Sequence, residues 1–556
     1  MKKIIFIYIL TVVYSNVIAQ TIVFSDPVFK NKLLQSSPNN FIAQNLNGNY
    51  FAIDANANNQ IELTEALAVS ELEIASSSIN SIDEISYFTN LTALNCASNT
   101  IGILNCTALT NLINLNCGNN QLVTLNLNGL TNLEIIQCNN NLLTNLNVRN
   151  NDDIITLNCE FNRLNTLNLN NLNFLENVSC NNNNLTSVSL VNLDNILFLD
   201  CSYNQIAALD TSDVYNIKTF YCNSNVLTSL SLDGLINLEN LNCSNNQLVT
   251  LTLTNLISLL DINCNFNQLN AINFINVPNL KILSCTNNLL ITLYLNSLTN
   301  LLDLNCSNNL ISLLEVYNST NLLSLNCNAN QLSFIIIDNL TNLKYLYCNN
   351  NLFTSIDISN LRSLLVLSCN QNRLASLNIG NDTNLRTIYC SNNQLSALDL
   401  RNASQLTSLF CSNNLLVSIL IQNGSFEENL VISGNQNLTL ICADPQEIEF
   451  VIQVLAFYNI RNCTVNSTCN FLETPTFETP VAIKLYPNPA SDFINFDIEP
   501  TEQVKSIEIY NLMGQLIQSL KNPITTTLLI SEFISGVYFI KIDTEQRVYS
   551  SKFVKK

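Results

Sequence analysis

The chain has 556 residues with 22 basic and 41 acidic side chains, a formal net charge of −19 and a mean hydropathy of +0.20. This acidic balance argues against a nucleic-acid partner, which requires a basic face. The chain has no histidine, which excludes Ser-His-Asp and Cys-His catalysis and removes the commonest nitrogen ligand for zinc. We therefore expect a protein that is not an enzyme.

The N-terminus has the pattern of a secretory signal peptide. Lys2 and Lys3 precede an apolar run from Ile4 to Tyr14, and a small-residue site ends at Ala19. This segment is too short to span a membrane. We predict that residues 1–19 are removed during export and that the mature chain has no transmembrane span.

Residues 20–88 are predicted to form an N-terminal cap, with a short helix over Asp26–Leu34. Within it, the stretch 54–65 resembles the calcium-binding loop of EF-hand proteins, although Asn59 stands where that family has glycine. The resemblance implies one structural Ca²⁺ and assigns its ligands as Asp54, Asn56, Asn58, Gln60 and Glu65, with Glu62 acting through water. The alternative is a polar loop that leads into a helix near Glu65–Ser70.

A 21-residue repeat occupies residues 89–435. Cysteine recurs at this period sixteen times from Cys96 to Cys411, with asparagine three residues after each cysteine and an apolar residue two before. One unit, Leu112–Leu122, reads L-x-x-L-x-C-x-x-N-x-L. This pattern resembles the leucine-rich repeat family, which implies a solenoid with a parallel β-sheet on its concave face.

The alternation in each unit predicts a short strand whose cysteine points inward and whose asparagine satisfies backbone groups at the following turn. Neighbouring inward side chains lie ~4.8 Å apart along such a stack, farther than the ~3.8 Å between the Cβ atoms of a disulfide. We therefore expect buried thiols that behave as small apolar groups, the alternative being a metal-thiolate stack.

Residues 436–471 are predicted to form a C-terminal cap. Asp444 and Glu447 with Pro445 between them indicate a capping box, followed by a helix with Ile448, Val451, Leu455 and Tyr458 on one face. One disulfide is expected among Cys442, Cys463 and Cys469, and the sequence does not decide which pair forms it. Residues 472–481 are predicted to be a linker.

Residues 482–556 are predicted to be a small, sandwich-like all-β domain, with strands near 484–486, 493–498, 506–510, 537–542 and 548–554. The motifs Leu485–Ala490, Ile507–Tyr510, Ser535–Tyr538 and Lys552–Lys556 together resemble the C-terminal sorting domain of type IX secretion in Bacteroidota. The resemblance implies contact with that secretion machinery and a final location outside the cell or on its surface. The fold expected for the whole chain is thus mainly β, a leucine-rich repeat solenoid followed by this domain.

The outward positions of the concave face are expected three before, one before and one after each ladder cysteine. Most of them are Asn, Ser or Thr, and four aromatic residues gather near the C-terminal end, namely Tyr345, Tyr347, Tyr389 and Phe410. These four are the predicted ligand-binding residues, which suit a protein partner or, as the alternative, a glycan. Asp261 and Asp303 could form a hydrolytic pair, but they lie on a flat sheet and nothing in the sequence indicates a raised pKa.

Overall fold

The computed structural model describes residues 20–381, 384–468, 481–497, 503–511, 515–523, 526–544 and 548–556. The predicted signal peptide and residues 472–480 of the predicted linker lie outside these ranges. The chain divides into two compact units, the first running to Asn393 and including Ala403–Cys411, the second comprising Gln394–Asn402 and Ser412–Lys556. Each unit is described separately. In the described ranges, no helix has the length and apolarity needed to cross a membrane.

The first unit begins with the N-terminal cap. Its helix, Pro27–Leu34, starts where the Asp26 side chain accepts the backbone N–H groups of Val28 and Phe29. The helix expected near Glu65–Ser70 is instead a short one at Leu63–Ala66. It ends there because residues 69–73 form a strand that pairs with residues 43–45 on one side and residues 93–95 on the other.

The inner face of the first unit is one parallel sheet with a single antiparallel strand, Ala43–Asn45, at its N-terminal edge. Each turn contributes one strand, and neighbouring strands pair with an offset of one 21-residue turn, so that Leu241 lies beside Ile262. A 3₁₀ helix, Asp83–Tyr87, lies between the first two parallel strands. The parallel strands are Val69–Glu73, Ala93–Asn95, Asn114–Asn116, Ile135–Gln137, Thr156–Asn158, Asn177–Ser179, Phe198–Asp200, Thr219–Tyr221, Asn240–Asn242, Asp261–Asn263, Ile282–Ser284, Asp303–Asn305, Ser324–Asn326, Tyr345–Tyr347, Val366–Ser368, Thr387–Tyr389 and Ser408–Phe410.

The outer wall of this unit consists of short extended segments, as the few residues left in each turn predict. They pair two by two, again in parallel. These outer strands are Ile103–Asn105, Thr124–Asn126, Thr166–Asn168, Ser187–Ser189, Thr250–Thr254, Ala271–Ile275, Thr292–Tyr294, Leu313–Glu315, Ser355–Asp357 and Ser376–Asn378.

The ladder asparagines hold consecutive turns together. Asn246 is typical: its side-chain nitrogen donates to the backbone carbonyls of Cys222, Cys243 and Ser244 at 3.0, 3.1 and 3.2 Å, and its oxygen accepts the N–H of Leu227 at 3.0 Å. Each asparagine therefore bonds to its own turn and to the one before it. In every turn the residue immediately before the ladder asparagine has a positive φ; the first of these residues is Ser98, with a φ of 57°, and the last is Asn413, with a φ of 54°.

The ladder cysteines are all buried free thiols. Burial raises the pKa of each of them, to about 12 for Cys138, Cys243, Cys327 and Cys390. They stay protonated and fill the core as small apolar side chains. Cys106, which is off the ladder, is also a buried free thiol.

The second unit contains the cap helix, Ile448–Phe457, which buries Val451 and Leu455. Only half of the expected capping box forms. Glu447 accepts the N–H of Asp444 at 3.3 Å, but the Asp444 carboxylate accepts the N–H groups of Asn423 and Gly424 instead of capping the helix. The helix consequently begins after Glu447.

Several short strands of this unit form a parallel sheet of four, with a further strand at Asn429–Val431; the four are Ala397–Asp399, Ser418–Ile421, Leu440–Ala443 and Thr464–Asn466. Cys442 is disulfide-bonded and Cys463 is a free thiol. Cys469 lies outside the described residues. Cys463 therefore has no part in the predicted disulfide.

The C-terminal β-domain consists of one five-stranded and one three-stranded sheet around a core that includes Ile494, Phe496, Ile507, Ile540 and Phe553. The strands at residues 516–521 and 527–529 were not predicted from the sequence. The five-stranded sheet contains Val481–Ala482, Val504–Asn511, Leu516–Lys521, Gly536–Thr544 and Val548–Lys555, and the three-stranded sheet contains Leu485–Tyr486, Phe493–Phe496 and Thr527–Leu529.

Candidate functional site

The concave face presents two columns of side chains rather than the three expected. Residues three before and one before each ladder cysteine point away from the core, as the alternation of burial along Tyr345–Tyr347 shows. The residue after each cysteine is largely buried in many turns, for example Ser202 at 4% and Ser244 at 5% exposure. These side chains fold back onto the chain, since both serine hydroxyls donate to the residue two positions earlier.

The four predicted aromatic residues lie on the last strands of this face. The rings of Tyr389 and Phe410 stack with centroids 4.6 Å apart and planes 16° from parallel. Tyr347 occupies the same column two strands earlier, with Ser368 between it and Tyr389. Tyr345 shares a strand with Tyr347 but belongs to the other column. The structure thus brings Tyr389 and Phe410 into contact and places the other two nearby.

The serine between Tyr347 and Tyr389 is nearly buried. Ser368 is 6% exposed, and its hydroxyl donates to the side-chain oxygen of Asn349 at 2.9 Å. The tyrosines on either side of it are separated by two strand spacings, roughly 9.6 Å. Ser368 is therefore almost covered, and this column offers a partner mainly its half-buried aromatic rings. We call Tyr345, Tyr347, Ser368, Tyr389 and Phe410 the aromatic patch.

The sequence analysis missed a second aromatic pair on the same face. Phe198 and Tyr221 lie on adjacent strands, in an edge-to-face arrangement with centroids 5.9 Å apart. Both occupy outward columns of the repeat, so the signal was present in the sequence. Their separation by 23 residues hides a contact that only the stacking of turns creates.

The carboxylates of Asp261 and Asp303 flank Ile282 in one column. Contrary to the sequence-based expectation, both have a raised pKa. Burial is the main cause, and for Asp261 the charge of Asp303 adds to it. Two half-buried carboxylates about two strand spacings apart on an open sheet lack the enclosing cleft in which a hydrolytic pair works.

The calcium-loop residues adopt a tight polar loop. Asn59 has a φ of 61°, the left-handed conformation for which the EF-hand family uses glycine. The Asp54 carboxylate accepts the N–H groups of Asn58 and Asn59 at 3.1 and 2.9 Å. The side-chain nitrogens of Asn56 and Asn58 donate to Glu62 at 3.1 and 2.9 Å.

The Glu65 carboxylate at the end of this loop is less available to a cation than the groups before it. Glu65 is 8% exposed, and its two oxygens accept the N–H groups of Ala55 and Glu62 at 2.8 and 3.0 Å. Its pKa is raised, with burial as the largest cause. The side-chain oxygen of Gln60 accepts a hydrogen bond from the Lys30 ammonium group at 2.8 Å. The group of Gln60 that could bind a cation is therefore its backbone carbonyl. In the described part of the chain, no three acidic or cysteine side chains converge as metal ligands.

The fold is that of a leucine-rich repeat solenoid, as the stacked 21-residue turns, the parallel inner sheet and the asparagine ladder show. This fold suggests a protein-interaction module. Residues 484–556 match the family described as the secretion system C-terminal sorting domain. The chain is therefore exported by type IX secretion to the cell surface or the extracellular space. No curated protein matches it in sequence.

Solved structures similar to this chain include repeat proteins from bacteria. They include the functional domain of InlJ from Listeria monocytogenes, which contains a cysteine ladder, at 21% identity and a TM-score of 0.49 over 89% of this chain and 93% of that one. The leucine-rich repeat protein LIC12759 from Leptospira interrogans has 21% identity and a TM-score of 0.48 over 73% and 97%. YopM from Yersinia enterocolitica has 22% identity and a TM-score of 0.48 over 67% and 91%.

Proposed function

We propose that the exported chain is a non-catalytic adhesion or recognition module that holds a protein partner against its concave face, with the aromatic patch at the centre of contact. The observation that carries this proposal is the stacked pair Tyr389 and Phe410, with Tyr347 in the same column. Half-buried aromatic side chains are the usual anchors of protein interfaces. The surrounding Asn, Ser and Thr side chains would form a polar rim.

The geometry of the pair favours a protein over a glycan. A sugar ring stacks on a free aromatic face. Here Tyr389 and Phe410 each cover one face of the other, so that less ring face, and relatively more ring edge and the tyrosine hydroxyl, is open to a ligand. Edges and a hydroxyl suit peptide carbonyls and apolar side chains better than they suit a flat sugar ring.

A selection experiment tests this function. The full exported chain is used to select from a random peptide library and, in parallel, is titrated with a panel of soluble polysaccharides. We expect selected peptides that bind wild type and lose at least about tenfold in affinity, roughly 1.4 kcal/mol, with Tyr347→Ala/Tyr389→Ala.

The control is Tyr294→Ala, which removes a tyrosine that is 53% exposed on the outer wall. It should leave binding unchanged. Polysaccharide binding that depends on Tyr389, without any peptide binding, would replace the protein partner by a glycan. Peptide binding that is equally sensitive to the Tyr294 substitution would contradict the concave-face assignment.

We further propose that the 54–65 loop binds one structural calcium ion. The left-handed Asn59 and the oxygen ligands supplied by Asp54, Asn56, Asn58, Glu65 and the Gln60 carbonyl support this proposal. Calorimetric titration of the chain with CaCl₂ should give heat that Asp54→Asn reduces. Absence of heat with wild type would leave a loop held by its own hydrogen bonds.

A further inference from the structure

A cavity of about 340 Å³ opens on the concave face at the N-terminal end of the first unit. It lies between the segment that contains the antiparallel edge strand and the first parallel strands of the inner sheet. The aromatic patch lies many turns away. Its walls include Phe41, Gln44 and Tyr50 from the cap, and its floor includes Glu71, Glu73 and Ala93. The volume is within the range of small ligand pockets.

The floor of this cavity is built by strand register. Glu71 pairs with Ala93, and Glu73 pairs with Asn95 on the same neighbouring strand. Glu71 and Glu73 alternate with the buried Leu72, so both carboxylates project from one face, with Cα atoms roughly 6.6 Å apart. Ala93 contributes only a methyl group beside Glu71 and leaves the space open.

The wall adds aromatic rings. Phe41 and Tyr50 meet edge to face with centroids 5.1 Å apart, and Phe41 is 74% exposed. An exposed phenylalanine held beside a tyrosine at the mouth of a cavity presents a ring face to whatever enters. Such faces attract cations within about 6 Å of the ring centre.

The charges of the cavity are unbalanced. Glu73 is held in place, since its two oxygens accept the N–H of Ala75 and the side-chain nitrogen of Asn95 at 3.1 and 2.7 Å. Glu71 is exposed and makes no ion pair with any described residue. The residues lining the cavity include no lysine or arginine. Two carboxylates and two rings without a cation form a complementary site for one positive side chain.

We propose that this cavity binds a lysine or arginine side chain from an extended segment of a protein partner. The side-chain amide of Gln44, which lines the same cavity, can bond to the partner's backbone. The inference rests on the proposed function in taking the partner to be a protein, and it adds a second contact at the opposite end of the inner sheet from the aromatic patch.

Two short peptides test the chemistry directly. N-acetyl-Gly-Arg-Gly-amide and the uncharged N-acetyl-Gly-Gln-Gly-amide are titrated into the full chain and followed by NMR. We expect the arginine peptide to bind at least about tenfold more tightly, and its binding to weaken as the salt concentration rises from about 0.02 M to about 0.2 M.

Variants locate the site. Glu71→Gln and Phe41→Ala each alter an exposed side chain and should weaken the arginine peptide several-fold without affecting folding. Glu160→Gln, which removes a half-buried carboxylate that follows Cys159 and does not line the cavity, should leave the binding of the arginine peptide unchanged. Equal binding of the two peptides, or arginine-peptide binding that Glu71→Gln leaves unchanged, would overturn the inference.

The two proposals fail separately. The double variant Tyr347→Ala/Tyr389→Ala should leave the arginine peptide bound as in wild type, because those residues do not line the cavity. If library peptides bind through the aromatic patch while the arginine peptide shows no preference, only the cavity assignment is wrong. If the arginine peptide binds as expected and the tyrosine substitutions weaken no selected peptide, only the aromatic patch is wrong.

Discussion

Replacing Asn246 by alanine should destabilise the solenoid strongly, because one side chain satisfies four backbone groups. Its nitrogen donates to three carbonyls and its oxygen accepts the N–H of Leu227, all at 3.0–3.2 Å in a residue that is 8% exposed. Leaving the Leu227 N–H buried without an acceptor costs roughly 1–3 kcal/mol, and the lost carbonyl bonds add about 1 kcal/mol or more. The expected loss is therefore about 3 kcal/mol.

Urea unfolding followed by circular dichroism measures this loss, provided that wild type and variants share one transition shape, since repeat arrays can unfold in stages. The matched control is Asn240→Ala. Asn240 is in the same turn as Asn246, on the inner strand Asn240–Asn242, and its side chain points to the concave face. Its replacement should change the free energy of unfolding by less than about 0.5 kcal/mol. Equal effects of the two substitutions would refute the role assigned to the asparagine ladder.

Four further predictions follow from single features. Burial and the adjacent Glu447 raise the pKa of Glu427 to about 9, so the carboxyl is protonated when folded. Unfolding then releases a proton above pH ~4.5, and stability falls as the pH rises, by up to about 1.4 kcal/mol per unit. Glu427→Gln should raise the melting temperature at pH 8 and have little effect near pH 4.5; an equal effect at both pH values would contradict this. Phe266 is 54% exposed and has a left-handed φ of 52°, which asparagine adopts more readily than phenylalanine. Phe266→Asn should therefore raise the free energy of unfolding by up to about 1 kcal/mol, as urea unfolding would measure. Iodoacetamide at pH 8 should leave the ladder thiols unmodified in the folded chain and label Cys463 slowly, as peptide mass spectrometry would show. Deletion of residues 484–556 should trap the solenoid in the periplasm, and its detection on intact cells would contradict the sorting role.

The repeat could be predicted in detail because its physics is local to one turn. The spacing of Cys243 and Asn246 fixes which side chain points inward and where the chain turns, and every turn repeats the same solution. The expectation that the asparagine amide satisfies the turn is confirmed down to the individual carbonyls. The left-handed residue before it was not predicted, because residues as different as Ser98 and Phe266 occupy that position.

The cavity at the N-terminal end could not be predicted, because it depends on a pairing without a sequence period. The edge strand has three residues and starts 26 residues before the start of its partner strand, Val69–Glu73. Only that pairing places Phe41 and Tyr50 beside Glu71. The raised pKa of Asp261 was missed for a similar reason: its burial depends on neighbours one turn away on either side.

The aromatic residues were correctly placed on the inner face, but which partner they bind depends on chemistry outside this chain. The domain boundaries inferred from composition, the calcium ion and the preference for a protein over a glycan remain predictions. The calcium ion and the preference for a protein each have a test above, and neither test depends on the other.

Hydrogen exchange on the full exported chain, with and without a peptide selected from the library, tests the central claim most directly. We expect the peptide to slow exchange in the strands Tyr345–Tyr347, Thr387–Tyr389 and Ser408–Phe410 and to leave the outer strand Thr292–Tyr294 unchanged. Protection confined to outer strands, with none on the inner sheet, would contradict the assignment of binding to the concave face.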